Sequence, residues 1–109
     1  MKPLFFVYIL SSFSGTLYVG LTDDLALRMM QHRNGQYDGF TKRYEVNRLM
    51  YYEGFTDSNA AATREKQIKK YSRAKKIAVF SQSNPHWKDL SKDLYSLRSN
   101  PELAAASRR

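Results

Sequence analysis

The residues of this chain that could do chemistry lie mostly in its first third, with one more on a later predicted helix. Tyr8 and Tyr18 stand ten residues apart, Arg28 and His32 follow them, and Glu65 is the later residue. An arginine can stabilise the charge that develops on a phosphate, a glutamate can hold a hard divalent cation, and a phenol can transfer a proton. This set of side chains therefore suits phosphodiester cleavage.

The same residues also have ordinary structural uses. A chain with 8 tyrosines uses most of them for packing, and a tyrosine with its ordinary pKa of about 10 acts as a base only beside a positive group such as Arg28 or a metal. Other chemistries are excluded, since the chain has no cysteine nucleophile, no nucleotide-binding glycine loop and no His-x-x-x-His zinc pair. From the residues alone, the interpretation is a nucleic-acid-binding α+β domain, and it stops short of an enzyme.

The charge of the chain indicates a polyanionic partner. Its 109 residues carry a formal net charge of +8, and each phosphate that a basic residue neutralises releases counterions. A basic surface that serves only solubility is the alternative. No membrane contact is expected, because the longest apolar run, Leu4 to Leu10, is far shorter than the roughly 20 residues of a membrane helix.

Length and cysteine content bound the class of protein. A chain of 109 residues fits one domain. The absence of cysteine excludes disulfides and thiolate metal sites and fits a reducing compartment. The N-terminus has one lysine and no small-residue cleavage pattern, so no signal peptide is expected and the expected location is the cytoplasm.

The first elements are predicted to be a β-hairpin, with strands over residues 4–10 and 16–20. Both segments are rich in β-branched and aromatic residues, and the serines and glycine between them favour a turn. Alternate side chains of a strand share a face, so Tyr8 is expected to lie with Phe6 and Leu10, and Tyr18 with Gly20.

A helix is predicted to follow the hairpin. It is expected to begin near Thr22 or Asp23, where a threonine can cap it, and to end at Asn34-Gly35. Arg28 and His32 stand four residues apart, so they share one face of this helix. Both tyrosines and both of these residues are thereby directed toward a common region.

The rest of the chain predicts a loop, a third strand and three helices. In chain order these are a loop at 36–44, a strand at 45–52, helices at 57–72 and 71–80 with a break near Ser72, and a last helix that Asn84 caps and Pro85 begins. That last helix is expected to face the core with Trp87, Leu90, Leu94 and Leu97. The expected domain covers residues 1–98, and residues 99–109 are expected to form a flexible tail.

Glu65 is an anomaly in the second predicted helix. It falls on the same stripe as the apolar or small residues Ala62 and Ile68, three positions from each. A carboxylate on an inward face is costly unless it is paired. Either Glu65 forms an ion pair with Arg64 or another nearby base, or it rotates to reach water, or it serves a site.

The ordered set of these motifs resembles the GIY-YIG nuclease superfamily. It comprises Phe6-Val7-Tyr8, Tyr18-Val19-Gly20, Arg28, His32 and Glu65. Later segments resemble the small stand-alone bacterial members; they are Lys42-Arg43-Tyr44, Arg64 to Lys70, and Asn84-Pro85-x-Trp87. Each tripeptide is weak alone, whereas the ordered set is specific and extends over almost the whole chain.

The resemblance implies an α+β fold, a three-stranded antiparallel sheet flanked by helices, and metal-dependent hydrolysis of DNA strands. It implies that Tyr8 and Tyr18 position or activate the attacking water and that Arg28 binds the scissile phosphate. His32 would assist proton transfer or contact the phosphate, and Glu65 would be the sole carboxylate ligand of Mg²⁺ or Mn²⁺. Contacts to backbone phosphates are assigned to basic residues outside this set: Lys42, Arg43, Lys69, Lys70 and Arg73.

The chain departs from the family pattern in several places. The first glycine of the name motif is Phe6 here, and the central isoleucines are Val7 and Val19. Asn84 is the candidate for an asparagine that some relatives carry late in the chain. Larger relatives have a separate DNA-targeting domain that is not recognised here, so a protein partner is expected to supply targeting. A structure-selective or weakly sequence-specific repair or recombination endonuclease, a non-catalytic module of a repair complex, and action on RNA all remain open.

Overall fold

The computed structural model describes residues 2–35, 39–92 and 94. Within them, the chain forms two strands, two helices, a third strand and two more helices. Their bounds are β1 Phe5–Ser11, β2 Leu17–Thr22, α1 Leu25–Arg33, α2 Phe40–Arg43, β3 Arg48–Phe55, α3 Ser58–Lys69 and α4 Arg73–Ser81. The helices and the antiparallel sheet form an α+β fold of the class that the sequence predicts.

The sheet has the strand order β2-β1-β3, and β1 pairs antiparallel with both neighbours. Ser12 and Thr16 close the hairpin, since the Ser12 N–H donates to the Thr16 carbonyl at 3.0 Å and the Thr16 N–H donates to Ser12 Oγ at 3.0 Å. Gly15 takes a φ of +96° in this loop, which suits glycine because it has no Cβ. The predicted hairpin is therefore confirmed.

Each face of the sheet has its own core cluster. On one face, Val7, Ile9 and Val19 pack with Ala61 and Ile68 of α3. On the other face the cluster comes from β1, from α1 and from the segment that begins β3: Tyr8, Leu10, Leu25, Met29, Val46 and Leu49. Phe6 and Tyr18 pack against this second cluster, so the expected sharing of a face is confirmed.

Helix α1 begins at Leu25, later than the sequence suggests. Asp24 is its N-cap, and the Asp24 carboxylate accepts the N–H of Leu27 at 3.1 Å. Thr22 ends β2 instead, and its hydroxyl accepts the Asp24 N–H at 3.1 Å. The predicted start at Thr22 or Asp23 was wrong by a few residues because β2 continues beyond Gly20. The predicted end is confirmed, since Asn34 is the C-cap.

The segment predicted as a loop at 36–44 contains the short helix α2, and β3 starts three residues later than predicted. Glu45 has a φ of +54°, so the chain turns sharply before the strand. The Val46 N–H then donates to the Thr41 carbonyl, which holds Val46 in the core rather than in the sheet. A single helical turn gives no periodic sequence signal, which explains why α2 was missed.

Helices α3 and α4 are separated at Ser72, as predicted. Asp57 caps α3 by accepting the Ala60 N–H, and Ser72 caps α4 by accepting the Lys75 N–H. The predicted helix from Asn84-Pro85 was wrong. Residues 85–90 form turns and irregular backbone, and the described helical residues there begin at Ser91.

Asn84 explains the missing helix, because its side chain is used elsewhere. Its Nδ2 donates to the Met50 carbonyl at 3.1 Å and to the Lys88 carbonyl at 2.8 Å, and its Oδ1 accepts the Lys88 N–H at 2.8 Å. The Leu90 N–H then donates to the Leu49 carbonyl at 2.8 Å, so the segment covers the open edge of β3. Trp87 packs against Phe80 and is not part of a helical stripe.

Part of the predicted C-terminal organisation lies outside the described residues. This holds for Leu97 and for the tail at 99–109, so the division into a domain over 1–98 and a tail stays a prediction. Among the described residues, no helix combines the length and apolar character that crossing a bilayer requires.

Candidate active site

Tyr8 stands at the centre of the α1 face of the sheet. Its side chain is fully buried, and its phenol oxygen lies 3.4 Å from Nε2 of His32. The ring extends over Gly20 of the neighbouring strand, where an added Cβ would lie 2.4 Å from the phenol oxygen. The glycine of the Tyr18-Val19-Gly20 motif therefore gives the Tyr8 ring its room.

Tyr8, Tyr18 and His32 form what we call the tyrosine–histidine cluster. The ring centroids are 6.4 Å apart for the two tyrosines, 6.1 Å for Tyr8 and His32, and 5.8 Å for Tyr18 and His32. Both contacts with His32 are edge-on, which suits the charge distribution of aromatic rings. Tyr18 is partly exposed, so the cluster reaches solvent through it.

His32 is held neutral at physiological pH. Burial, and to a smaller extent the positive charge of Arg28 one turn earlier on α1, together lower its pKa from the ordinary 6.5 to about 4. A neutral imidazole has one ring nitrogen that can accept a hydrogen bond or a proton. His32 can thus accept a hydrogen bond from the Tyr8 phenol, and an approaching phosphate would raise the pKa of His32 because an anion favours imidazolium.

Glu65 lies on α3, which packs on the opposite face of the sheet from α1 and contacts both β1 and β2. Its side chain is 19% exposed and accepts an ion pair from Lys69 Nζ at 3.3 Å. Arg64, the other base considered, pairs with Glu53 at 2.9 Å. The structure therefore brings Tyr8, Tyr18, Arg28 and His32 together and places Glu65 beside Lys69 on a different layer.

Comparisons with known proteins identify the family. A model described as the GIY-YIG catalytic domain matches residues 4–78, which include all five candidate residues. The chain belongs to the GIY-YIG family. The resemblance drawn from the ordered motifs is confirmed, and the family is one of nucleases.

The relatives of this GIY-YIG protein are small bacterial proteins. It is 36% identical to a UPF0213 protein of Staphylococcus saprophyticus and 35% identical to one of Staphylococcus epidermidis, in both cases across 71% of this chain and 94% of the relative. It is also similar to the solution NMR structure of a UPF0213 protein from Bacillus halodurans. That similarity has a TM-score of 0.52 and 28% identity, and covers 81% of this chain and 94% of the other.

The donors present in this GIY-YIG domain limit how a metal could be held. Among residues 2–35, 39–92 and 94, no group of three or more His, Cys, Asp or Glu side chains could hold a metal ion. Mg²⁺ commonly keeps several waters and is bound through one or two carboxylates together with substrate phosphates. Glu65 fits such a shared site, in which water and substrate supply the other ligands, and its assignment as the metal ligand stays a prediction.

The basic residues assigned to DNA lie in two places and differ in what they already contact. Lys42 and Arg43 end α2 and are exposed, as is Lys70 at the end of α3. Lys69 is engaged with Glu65. Arg73 Nη1 donates to the Gly15 carbonyl at 2.5 Å and so ties α4 to the hairpin loop.

Asp89 connects β3, α1 and the segment after α4, a role that the sequence did not predict. Its carboxylate accepts the Leu49 N–H at 3.1 Å and the Ser91 hydroxyl at 2.6 Å, and forms an ion pair of 2.5 Å with Arg33, the neighbour of His32. Burial favours a higher pKa for Asp89, but the hydrogen bonds of Ser91 and Leu49 and the charge of Arg33 together lower it below the ordinary 3.8. Asp89 and Arg33 are 56 residues apart, so no local pattern marks the pair.

Asn84 was considered as the counterpart of a late asparagine of the family. Its amide already bonds main-chain groups of β3 and of the following segment, and its side chain is buried. In this chain its contacts are those of a structural clamp.

Proposed function

We propose that this protein is a divalent-metal-dependent endonuclease that hydrolyses DNA phosphodiester bonds in repair or recombination. The proposal depends above all on one observation: the buried phenol of Tyr8 lies 3.4 Å from the neutral imidazole of His32, with Arg28 one turn away. The enzyme would be structure-selective or weakly sequence-specific.

A role in packing alone does not account for this pair. Burying a hydroxyl and an imidazole costs free energy unless their polar atoms are matched, and Phe and Leu would fill the same space without that cost. The two groups also meet beside a partly exposed tyrosine, Tyr18, through which this part of the core reaches the surface. Polar groups in such a place support a chemical role.

In the mechanism we propose, Tyr8 takes a proton from the attacking water and passes its own proton to His32. With a pKa of about 4, His32 is a weak base in the free protein, so this proton transfer depends on the incoming phosphate, whose negative charge raises the pKa of His32. Arg28 stabilises the negative charge that builds up on the phosphate. Tyr18 positions the water or the phosphate from the open side of the cluster.

Mg²⁺ or Mn²⁺ would be held by Glu65, and when bound it would act as a Lewis acid on the phosphate oxygens. Lys69 must first leave Glu65. Such an ion pair, with the lysine side chain 51% exposed, contributes little stability, so its displacement is cheap.

The surroundings of the site would provide affinity rather than chemistry. Backbone phosphates would be contacted by Lys42, Arg43, Lys69 and Lys70. Arg73 would contact a phosphate while it remains bonded to the Gly15 carbonyl of the hairpin loop. A protein partner would supply targeting. The cysteine-free composition fits the reducing cytoplasm, which we propose as its location.

The test is incubation of the full chain with labelled single-stranded, duplex, flap, fork and four-way-junction DNA in Mg²⁺, Mn²⁺ or EDTA. Tyr8→Phe and Glu65→Gln are the test variants. Tyr52→Phe is the matched control, because Tyr52 is the cross-strand neighbour of Tyr8 but is 42% exposed.

Metal-dependent cutting that both test variants lose and the control keeps would support the proposal. Salt-sensitive DNA binding without cutting under every condition would overturn it in favour of a non-catalytic binding module. Faster cutting of the matching ribonucleotide substrates would reassign the enzyme to RNA.

A further inference from the structure

A cleft of about 820 Å³ lies where the β1–β2 loop, the start of β3 and the segment after α4 meet. None of the candidate catalytic residues lines it. The described residues that matter for its chemistry are Phe13, Arg48, His86, Trp87, Lys88 and Lys92.

The cleft presents two aromatic residues, Phe13 and Trp87, that one arginine contacts. Phe13, at the tip of the hairpin loop, is 89% exposed, and the guanidinium of Arg48 lies 4.4 Å from the centre of its ring. Arg48 Nη2 also donates to the Trp87 carbonyl at 3.0 Å. A phenyl ring as exposed as that of Phe13 contributes little to the core. With a cation fixed beside it, the ring offers a surface on which a flat ligand can stack.

Trp87 is held in an unusual conformation at the same place. Its φ is +56°, a backbone region that bulky residues rarely adopt, and one edge of its ring packs on Phe80 at a centroid distance of 5.1 Å. The side chain is only partly buried and also lines the cleft. Strain of this kind is retained where the surrounding structure fixes it, and it is enriched at ligand sites.

The walls of the cleft are positively charged. Lys88 and Lys92 are exposed and Arg48 is partly exposed, and all three line the cleft. Among the described lining residues, Asp89 is the one carboxylate, and it is paired with Arg33. Flat rings among basic side chains are the combination with which proteins bind unpaired nucleotides.

We infer that this cleft binds an unpaired nucleotide of the DNA substrate, with the base stacked on Phe13 and Trp87 and the phosphate between Lys88 and Lys92. The inference builds on the proposed function by naming the structural feature that the enzyme recognises. Arg33 lines the cleft and directly follows His32 on α1, so the cleft lies beside the end of the helix that carries His32. Stacking is independent of base identity, so this site selects unpaired structure rather than sequence.

Trp87 supplies a direct readout because it is the single tryptophan of the chain. A titration of the full chain with oligo-deoxythymidine in EDTA, where metal-dependent cutting is blocked, should quench its fluorescence. The same length of duplex should quench it much less. Oligo-uridine gives the ribonucleotide comparison in the same assay.

Phe13→Ala should weaken oligo-deoxythymidine binding roughly tenfold, the effect expected for the loss of one stacked base, and leave duplex affinity unchanged. Phe13→Tyr should restore binding, because it keeps the ring. Leu4→Ala is the matched control, since Leu4 is also an exposed apolar residue, at 56%, and lies before β1 outside the cleft.

Lys88→Gln tests the phosphate contact. It should lower the slope of log affinity against log salt concentration by about 0.7 for single strands. Lys66→Gln, an exposed lysine on α3 outside the cleft, should leave that slope unchanged.

The outcomes separate this inference from the proposed function. If single strands bind but Phe13→Ala and Lys88→Gln match their controls, or if a polyglutamate peptide quenches Trp87 as strongly as DNA does, the cleft is not a nucleotide site, whatever the cleavage assay gives. If quenching and the Phe13 effect are present while no substrate is cut, the inference holds and the enzyme proposal fails.

Discussion

The phenol oxygen of Tyr8 and Nε2 of His32 lie 3.4 Å apart in the core between β1 and α1. Tyr8 is fully buried and His32 is 6% exposed, so water does not compete strongly for either group. The pair joins the two halves of the sequence motif, one residue on a strand and one on a helix. Its chemistry can be tested separately from its packing.

His32→Gln should reduce the rate of cleavage at saturating DNA by about a hundredfold or more. The glutamine amide can accept a hydrogen bond from Tyr8 but cannot take up a proton at neutral pH. DNA affinity should stay within about twofold, as measured by fluorescence anisotropy in EDTA, because Arg28 and the surface lysines are retained. His86→Gln is the control for the rate at saturating DNA, since it removes the other histidine of the chain, which lines the cleft and not the tyrosine–histidine cluster; an equal loss of that rate in both variants would contradict a role specific to His32.

The stability of the protein should fall as the pH is lowered from 6.5 toward 4. His32 has a pKa of about 4 in the folded chain and about 6.5 when unfolded, so between these values the unfolded chain binds the extra proton. The free energy of unfolding should therefore be about 3 kcal/mol higher above pH 6.5 than below pH 4. Urea unfolding from pH 4 to 7.5 should show this slope in the natural chain and a shallower one in His32→Gln. Parallel curves would show that His32 titrates alike in both states.

Asp89→Asn should destabilise the protein by about 1–3 kcal/mol. The side chain is 9% exposed and carries the bonds to Leu49, Ser91 and Arg33, so removing its charge weakens all of them. Because the pKa of Asp89 is lowered in the folded state, its stabilisation is present above about pH 4 and is lost below it. Faster amide exchange at Leu90, whose N–H pairs with Leu49, should accompany the loss.

Asp23→Asn is the control for that variant, because Asp23 is an exposed aspartate before α1. It should change the unfolding free energy by less than about 0.5 kcal/mol. A result in which both variants behave alike would mean that Asp89 does not hold the C-terminal segment on β3.

Local periodicity was sufficient to predict which candidate residues share a face of a strand or helix, whereas their roles were implied by the family resemblance and stay predictions. The two-residue period of a strand placed Tyr8 on the face of Phe6 and Leu10, and the helical spacing of four placed Arg28 beside His32. These rules depend only on backbone geometry, so packing could not overturn them. The position of Glu65 relative to the cluster depends on how α3 packs across the sheet, which spacing does not determine.

The wrong predictions arose where a residue that fits a local capping pattern is bound by a group distant in the sequence. Asn84 followed by proline is a good helix start in isolation, but Asn84 Oδ1 accepts the N–H of Lys88, four residues later, while Nδ2 donates to the Met50 carbonyl of β3, and the helix does not form there. Likewise Thr22 can cap a helix, but it is still paired with Phe6 at the end of β2. Both cases are tertiary contacts that a single sequence does not reveal.

Gly20→Ala should lower the free energy of unfolding by about 1–3 kcal/mol. It should also lower the rate of DNA cleavage. The new Cβ would lie 2.4 Å from the ring of Tyr8, which is fully buried and has little room to move, so the phenol must shift away from its present position near His32. Gly54→Ala is a closely matched control, also in a strand, where the Cβ would meet Pro3 at 2.5 Å. Pro3 is exposed and precedes β1, so it can move at low cost. Urea unfolding and the cleavage assay on both variants measure the difference, and equal effects would mean that the fit of Gly20 to Tyr8 has no special importance.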